Sequence, residues 1–225
     1  MLDLSKTFEK SNTDYSKVSI GRSFNFNGYY ISPNRLVKGN SKLYNILIFD
    51  LPAVETCLNC NDCKSKCYAL KAQRQYTDTR IFRSTNLALF NDSAIQLKYL
   101  IVNQLNATKI TTVRIHSSGD FFSQDYIDFW QGIVYQFPNI KFYAYTKVAE
   151  LLDFSKIESL PNFNLISSFV GEYQLNFGSL QYCEMLHTNH DTFICPATKS
   201  SDIKFRCGLN CNYCVTKKNV CFVIH

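Results

Sequence analysis

The sequence predicts an α/β fold, a run of parallel β-α units followed by a cysteine-rich C-terminal appendage. Three observations carry that expectation. Short apolar, β-branched runs alternate with longer stretches of helical spacing between residues 44 and 170. Polar or cysteine-bearing loops follow the first three of those runs, which is where a parallel sheet keeps its functional residues. From residue 171 to 225 the alternation stops, and Gly, Asn and Cys become prominent.

Residues 1–43 are polar and read as an N-terminal arm with one short hairpin, because Asn27-Gly28 and Pro33-Asn34 are turn formers beside the aromatic run from Phe24 to Tyr30. Residues 44–170 form the β-α core. Residues 44–49 are apolar and end at Asp50-Leu51-Pro52, as a buried strand closed by a turn would. From Lys64 the composition becomes helical, and two further helices are expected across 78–90 and 93–106, the second capped by Ser93. Residues 110–115 are rich in β-branched side chains and form a second strand, which runs into His116-Ser-Ser-Gly-Asp-Phe-Phe122. Ser123 caps a helix to about 137, with Tyr126, Trp130, Ile133 and Val134 at helical spacing and Pro138-Asn139 ending it. A third strand at 140–145, a short helix at 147–154 and a fourth strand at 163–168 complete the alternation.

The chain of 225 residues is long enough to bury a core without disulfide staples, and its composition, 46% hydrophobic and 15% aromatic with 18 Phe and 14 Tyr, is globular rather than disordered. A formal charge of +6, from 24 Lys plus Arg against 18 Asp plus Glu, is modest and scattered, so a nucleic-acid partner is compatible with it but not required by it. The N-terminus has no basic stretch followed by an apolar core, and no apolar run approaches the roughly 20 residues a membrane span needs. The protein is therefore expected to be cytoplasmic, without membrane association. In such a reducing compartment ten cysteines point to metal ligation or redox chemistry rather than to a disulfide framework.

Two cysteine groups stand out. Cys57, Cys60, Cys63 and Cys67 follow the first strand with the C-x2-C-x2-C-x3-C spacing of bacterial ferredoxins, except that Tyr68 replaces the usual proline. Short spacings let one loop wrap a soft metal ion with little loss of chain entropy. A 4Fe–4S cluster is the expected occupant, zinc the alternative, and Cys60 the ligand to spare if three thiolates suffice. Near the C-terminus, Cys207-x3-Cys211-x2-Cys214 resembles the cysteine signature of radical S-adenosylmethionine enzymes, in which three thiolates leave one iron open. In those enzymes the signature follows the first strand. Here it closes the chain, so a fully ligated site with Cys195 as fourth ligand is the better reading. Cys183 and Cys221, in apolar settings, read as buried thiols, and His187 and His190 as surface loop residues.

Several motifs together resemble the phage gene-product-88 family: Cys63-x3-Cys67-Tyr-Ala69, Val113-Arg-Ile-His-Ser-Ser-Gly-Asp-Phe-Phe122, Lys141-Phe-Tyr-Ala-Tyr-Thr-Lys147, Cys195-Pro-Ala197 and Asn219-Val-Cys-Phe-Val-Ile-His225. The resemblance spans roughly residues 40 to 225. It implies a layout similar to a partial parallel (β/α) barrel of the radical S-adenosylmethionine type. In that barrel a Gly-Gly-Glu turn after the second strand receives the amino group of the cofactor, and Ser118-Gly119-Asp120 occupies the matching place. His116, Thr146 and Lys147 would line the same cofactor pocket.

The first expectation for function is thus an iron–sulfur protein of phage or mobile-element origin, radical S-adenosylmethionine-like, with a small-molecule cofactor and an unassigned substrate. The second is a zinc-stabilised protein that contacts single-stranded nucleic acid through Lys, Arg and exposed aromatics. An electron carrier is the third.

Overall fold

Leu47 and Phe49, Val113 and Ile115, Phe142 and Ala144, and Phe163 and Leu165 are apolar residues spaced two apart in four segments, and all eight sit in one buried cluster. That period-2 alternation builds a sheet with one face turned to helices. The structure, a computed structural model, describes residues 24–26, 29–60, 63–169, 179–183, 193–195, 206–216 and 220–223. His187, His190 and His225 lie outside the described residues, as do the side chains of Cys183 and Cys221.

In chain order, β1 (Phe24–Phe26) and β2 (Tyr29–Ile31) form an antiparallel hairpin in which Phe26 pairs with Tyr29, as the Asn27-Gly28 dipeptide between them predicts. Then come β3 (Val37–Lys38), β4 (Leu47–Phe49), α1 (Tyr68–Gln75), α2 (Thr77–Ala107), β5 (Thr112–Ile115), α3 (Gln124–Gln136) and β6 (Lys141–Thr146). After these follow α4 (Ser155–Glu158), β7 (Phe163–Phe169), β8 (Ser179–Cys183), β9 (Phe193–Ile194), α5 (Tyr213–Thr216) and β10 (Val220–Val223). Eight strands make one sheet in the order β3-β4-β5-β6-β7-β8-β10-β9. Every neighbouring pair is parallel except β3 with β4. From β4 to β8 the spatial order is the sequence order, so the sheet is wound in one direction. Residues 179–183, 193–194 and 220–223 continue it past the point where the alternation of the sequence fades.

The core fills the helical side. Leu89, Leu97 and Ile101 of α2 and Tyr126, Trp130, Ile133 and Val134 of α3 pack against the four strands, with Trp130 edge-on to Phe49 at 5.1 Å. Burying side chains of this size stabilises by about 1.5–3 kcal/mol each before entropy is set against it. The opposite face carries Ile46, Ile48, Tyr143 and Ile166, which pack with Cys207, Cys195 and the short helix α5 that holds Cys214. The cysteine-rich C-terminal segment is the cover for that side.

The two helices expected at 78–90 and 93–106 form one continuous element with a break at Ser93, whose φ of −159° and ψ of 81° are not helical. Ser93 Oγ accepts from Gln96 N at 3.4 Å, the N-cap role its residue type suggests. Ser123 likewise caps α3 by accepting from Tyr126 N at 3.2 Å. Residues 147–154, expected as a helix, form turns instead, and the helix falls at Ser155–Glu158. The cause is tertiary. Gln124 bonds both Asp153 O and Asp153 N, and so takes the amide that a helix over 147–154 would donate back along the chain, whereas Lys147 N and Val148 N, bonded to Asp120 and Thr146 Oγ1, are amides that a first turn leaves free.

Candidate metal centre

A parallel sheet gathers its βα loops at the carboxyl ends of the strands, and the first cysteine group sits on the longest of them, between β4 and α1. The base of that loop is fixed by Asp50. Its carboxylate accepts from Ser117 N at 2.7 Å, Ser117 Oγ at 2.8 Å and Ser118 N at 3.0 Å, and pairs with Arg83 Nη2 at 3.2 Å. Arg83 Nη1 also donates to Ala69 O at 2.9 Å, and Tyr68 OH to Ser117 O at 2.7 Å, so both ends of the cysteine loop are tied to the loop after β5. Asp50 reads in the sequence only as a turn residue before Pro52, and nothing in its spacing announces this role.

Gly119 has φ +81°, and a Cβ there would lie 2.6 Å from Thr56 Oγ1 and 2.7 Å from Leu51 Cβ. The close approach its lack of a side chain permits is therefore made by the cysteine loop itself. Val54 in that loop has φ +73°, a conformation that a β-branched residue adopts only under constraint from its surroundings.

The structure brings Ser118, Asp120, Thr146 and Lys147 to the same rim. Ser118 Oγ donates to Leu51 O at 2.9 Å. Asp120 Oδ1 accepts from Thr146 Oγ1 at 2.7 Å and from Phe121 N at 2.7 Å, and Oδ2 accepts from Lys147 N at 2.9 Å. Burial holds the Asp120 carboxyl up at about 6, although those donors favour its charge. Lys147 Nζ donates to Ser168 Oγ at 3.0 Å, and Lys147 O accepts from Asn59 Nδ2 at 3.1 Å, which ties the cysteine loop to the end of β6.

His116 belongs to the core beneath the rim. It is 3% exposed, has φ +68°, and lies edge-on to Phe121 at 4.9 Å and stacked on Tyr126 at 5.6 Å. Nε2 shares a hydrogen bond of 2.9 Å with Tyr126 OH, and Nδ1 has no partner among the described residues. Burial, helped by the charge of Arg114, lowers its pKa to about 3 and keeps the ring neutral.

The eight described cysteines are free thiols in two groups. In the first, burial pushes the Cys57 thiol up to about 12, and nearby Asp120, Cys67 and Cys60 add to the effect. Cys63 is raised by burial and by its neighbours Cys67 and Cys60, with Lys147 opposing. Cys67 caps α1, its Sγ accepting from Leu70 N at 3.3 Å. The second group lies on the face away from the helices. Burial, reinforced by Cys214, Cys195 and Cys211, raises Cys207 to about 12; Cys214 rises to about 11, mainly through burial, although a hydrogen bond with Tyr145 opposes it. Cys207, Cys211 and Cys214 line one small depression together with Ile46 and Tyr143. Cys207 N donates to Lys42 O at 2.8 Å and forms a parallel bridge with Leu43, which fixes this group near the start of β4, whereas the first group lies beyond the end of that strand.

Within each group the thiols are neighbours, yet among the described residues no three His, Cys, Asp or Glu side chains already converge on one metal position. In donor chemistry both groups fit a soft metal: several sulfurs, no competing hard ligand set, and raised pKa values that make binding displace protons. The fit of an ammonium group to Asp120 is poorer, because both carboxylate oxygens already accept donors from the chain.

No helix among the described residues is long and apolar enough to cross a membrane. No solved structure matches the chain. A Gene 88 protein of Mycobacterium phage D29 is 25% identical over 115 residues, covering 47% of this chain and 48% of that protein, so the matched stretch spans about half the length of the relative. The family model described as Gene product 88 matches residues 22–205, a range that takes in the first cysteine group, the 116–120 loop and Cys195 and ends before Cys207. With that match covering most of its length, the chain belongs to the Gene product 88 family.

Proposed function

We propose that this phage-family protein is an iron–sulfur protein. Cys57, Cys63 and Cys67, with Cys60 as fourth or spare ligand, would hold one 4Fe–4S cluster, and Cys195, Cys207, Cys211 and Cys214 a second. The observation that carries the reading is the grouping of eight free cysteines into two sets on one sheet, with Cys57 and Cys63 each near Cys60 and Cys67, and Cys207 near Cys195, Cys211 and Cys214. Four thiolates per site also satisfy zinc, which is the alternative occupant.

The sequential parallel order from β4 to β8, with helices on one face, is the arrangement a partial (β/α) barrel requires, and it supports a more specific form of the proposal, a radical S-adenosylmethionine-type enzyme. Cys57, Cys63 and Cys67 would hold a cluster with one open iron, which would supply an electron to S-adenosylmethionine. On the protein side, Asp120 holds Thr146 and the Lys147 amide in place, Gly119 lets the cysteine loop close onto the second strand end, and Lys147 places a cation beside Cys63. The cofactor ammonium would need a further lone pair of Asp120.

Anaerobic purification followed by iron, sulfide and zinc analysis tests the proposal. Iron and sulfide in equal amounts, with visible charge-transfer absorption, support it. Stoichiometric zinc in a colourless protein supports the alternative, and a metal-free protein refutes both. Reductive cleavage of S-adenosylmethionine by the iron-loaded protein tests the specific form. Steeply salt-dependent binding to single-stranded DNA tests a nucleic-acid partner.

A further inference from the structure

Register places four residues of the non-helical face in one row across the sheet. Ile48 of β4 pairs with Arg114 of β5, Arg114 with Tyr143 of β6, and Tyr143 with Asn164 of β7. The other residues of that row border the second cysteine group: Tyr143 lines one depression with Cys207, Cys211 and Cys214, Asn164 Nδ2 donates to Cys214 O at 2.7 Å, and Ile48 belongs to the apolar cluster on which Cys207 and Cys214 pack. A charged residue at the centre of the row therefore lies under the thiols.

The Arg114 side chain is anchored and has no acid of its own. Nε donates to His116 O at 3.0 Å, and the guanidinium carbon lies 5.0 Å from the centre of the Tyr145 ring. No carboxylate among the described residues comes within ion-pair distance of it; Asp50, the acid nearest in effect, is paired with Arg83. A fixed cation facing thiols and phenols is a poor arrangement for an apolar cover alone, since a half-buried charge needs a partner. Thiolates gathered on a metal carry the compensating charge.

We propose that Arg114 is the counter-cation of the second cysteine group, a positioning residue that stabilises the negative charge of Cys207, Cys211 and Cys214 when metal is bound there. The inference rests on the proposed function, because it needs a metal at that group. It assigns Arg114 to tuning affinity and potential, and gives it no direct ligand role. Arginine suits the place because its charge persists at all working pH and its plane stacks on Tyr145.

The test compares wild type, Arg114→Gln and Arg114→Lys after anaerobic metal loading, with Cys207→Ser/Cys214→Ser identifying which centre is the second. Arg114→Gln is expected to weaken chelator-resistant binding at the second centre by about 10–100-fold, the range usual for removing an outer partner of a metal ligand. If that centre is iron–sulfur, its midpoint potential moves to more negative values, and Arg114→Lys restores most of both properties. A structural role alone would lower thermal stability without moving the potential of a loaded centre. Unchanged affinity and potential in Arg114→Gln, with wild type loaded, overturn this inference and leave the metal reading intact. Equal metal content in wild type and Cys207→Ser/Cys214→Ser overturns the second site itself, and this inference with it.

Discussion

His116 shows how a residue that stands out in sequence can lie packed within the core. It stands at a strand end beside Gly and Asp, where a catalytic residue would be sought, yet it is buried between Phe121 and Tyr126 with a pKa lowered to about 3. The folded protein thus binds fewer protons at this ring than the unfolded chain, whose value is near 6.5. The associated stability is fully present above that value and is lost progressively as pH falls toward about 3. The loss from this one group between pH 7 and pH 5 is about 2 kcal/mol. His116→Asn, which tolerates the positive φ, should be less stable than wild type at pH 7 through lost ring contacts but should lack that acid-side decline. Chemical denaturation at the two pH values reads the difference directly, and equal slopes in both proteins would contradict the assignment. Asp120 is the complementary case, a carboxylate legible as a site residue whose oxygens turn out to knit β5 to β6.

Among the elements, α2 is the most telling. The sequence marks two helices with Ser93 starting the second, and the structure keeps that cap inside a span of 31 residues by bending the backbone at Ser93. Removing the hydroxyl in Ser93→Ala should cost about 0.5–1 kcal/mol of unfolding free energy, measured by urea titration with an unchanged m-value. Strands β4, β5, β6 and β7, the Ser93 cap within α2 and the Ser123 cap of α3 were legible because local signals, β-branched runs and Ser before an amphipathic stretch, agree with the tertiary fold. The turn at 147–154 was not. Its composition permits a helix, and only contacts with Gln124, distant in sequence, decide against one. For the same reason Asp50 and Arg114 escaped notice: the first gains its role from Arg83 and Ser117, the second from lying in register between Ile48 and Tyr143.

For the molecule as a whole, the helical face has an ordinary apolar core, whereas the opposite face depends on a segment whose contacts run through Cys195, Cys207 and Cys214. Metal bound to those thiols in the folded state alone would stabilise the fold by mass action, by about 4 kcal/mol when free metal exceeds its dissociation constant a thousandfold. Stripping the loaded protein with a chelator should therefore lower the calorimetric unfolding temperature of wild type more than that of Cys207→Ser/Cys214→Ser. Identical responses would argue that the cover holds without metal. The two cysteine groups were recognisable from spacing, but their placement was not: one lies past the end of β4 and the other beside its start.

The margins of the sheet carry a consequence of their own. Among the described residues, the outermost strands β3 and β9 are only two residues long, and β3 exposes Lys38. So short a border offers an incoming chain few free amides and carbonyls, and a lysine there would have to be dehydrated first. Eight strands can thus lie side by side with little at either described border for a second copy of the protein to pair with.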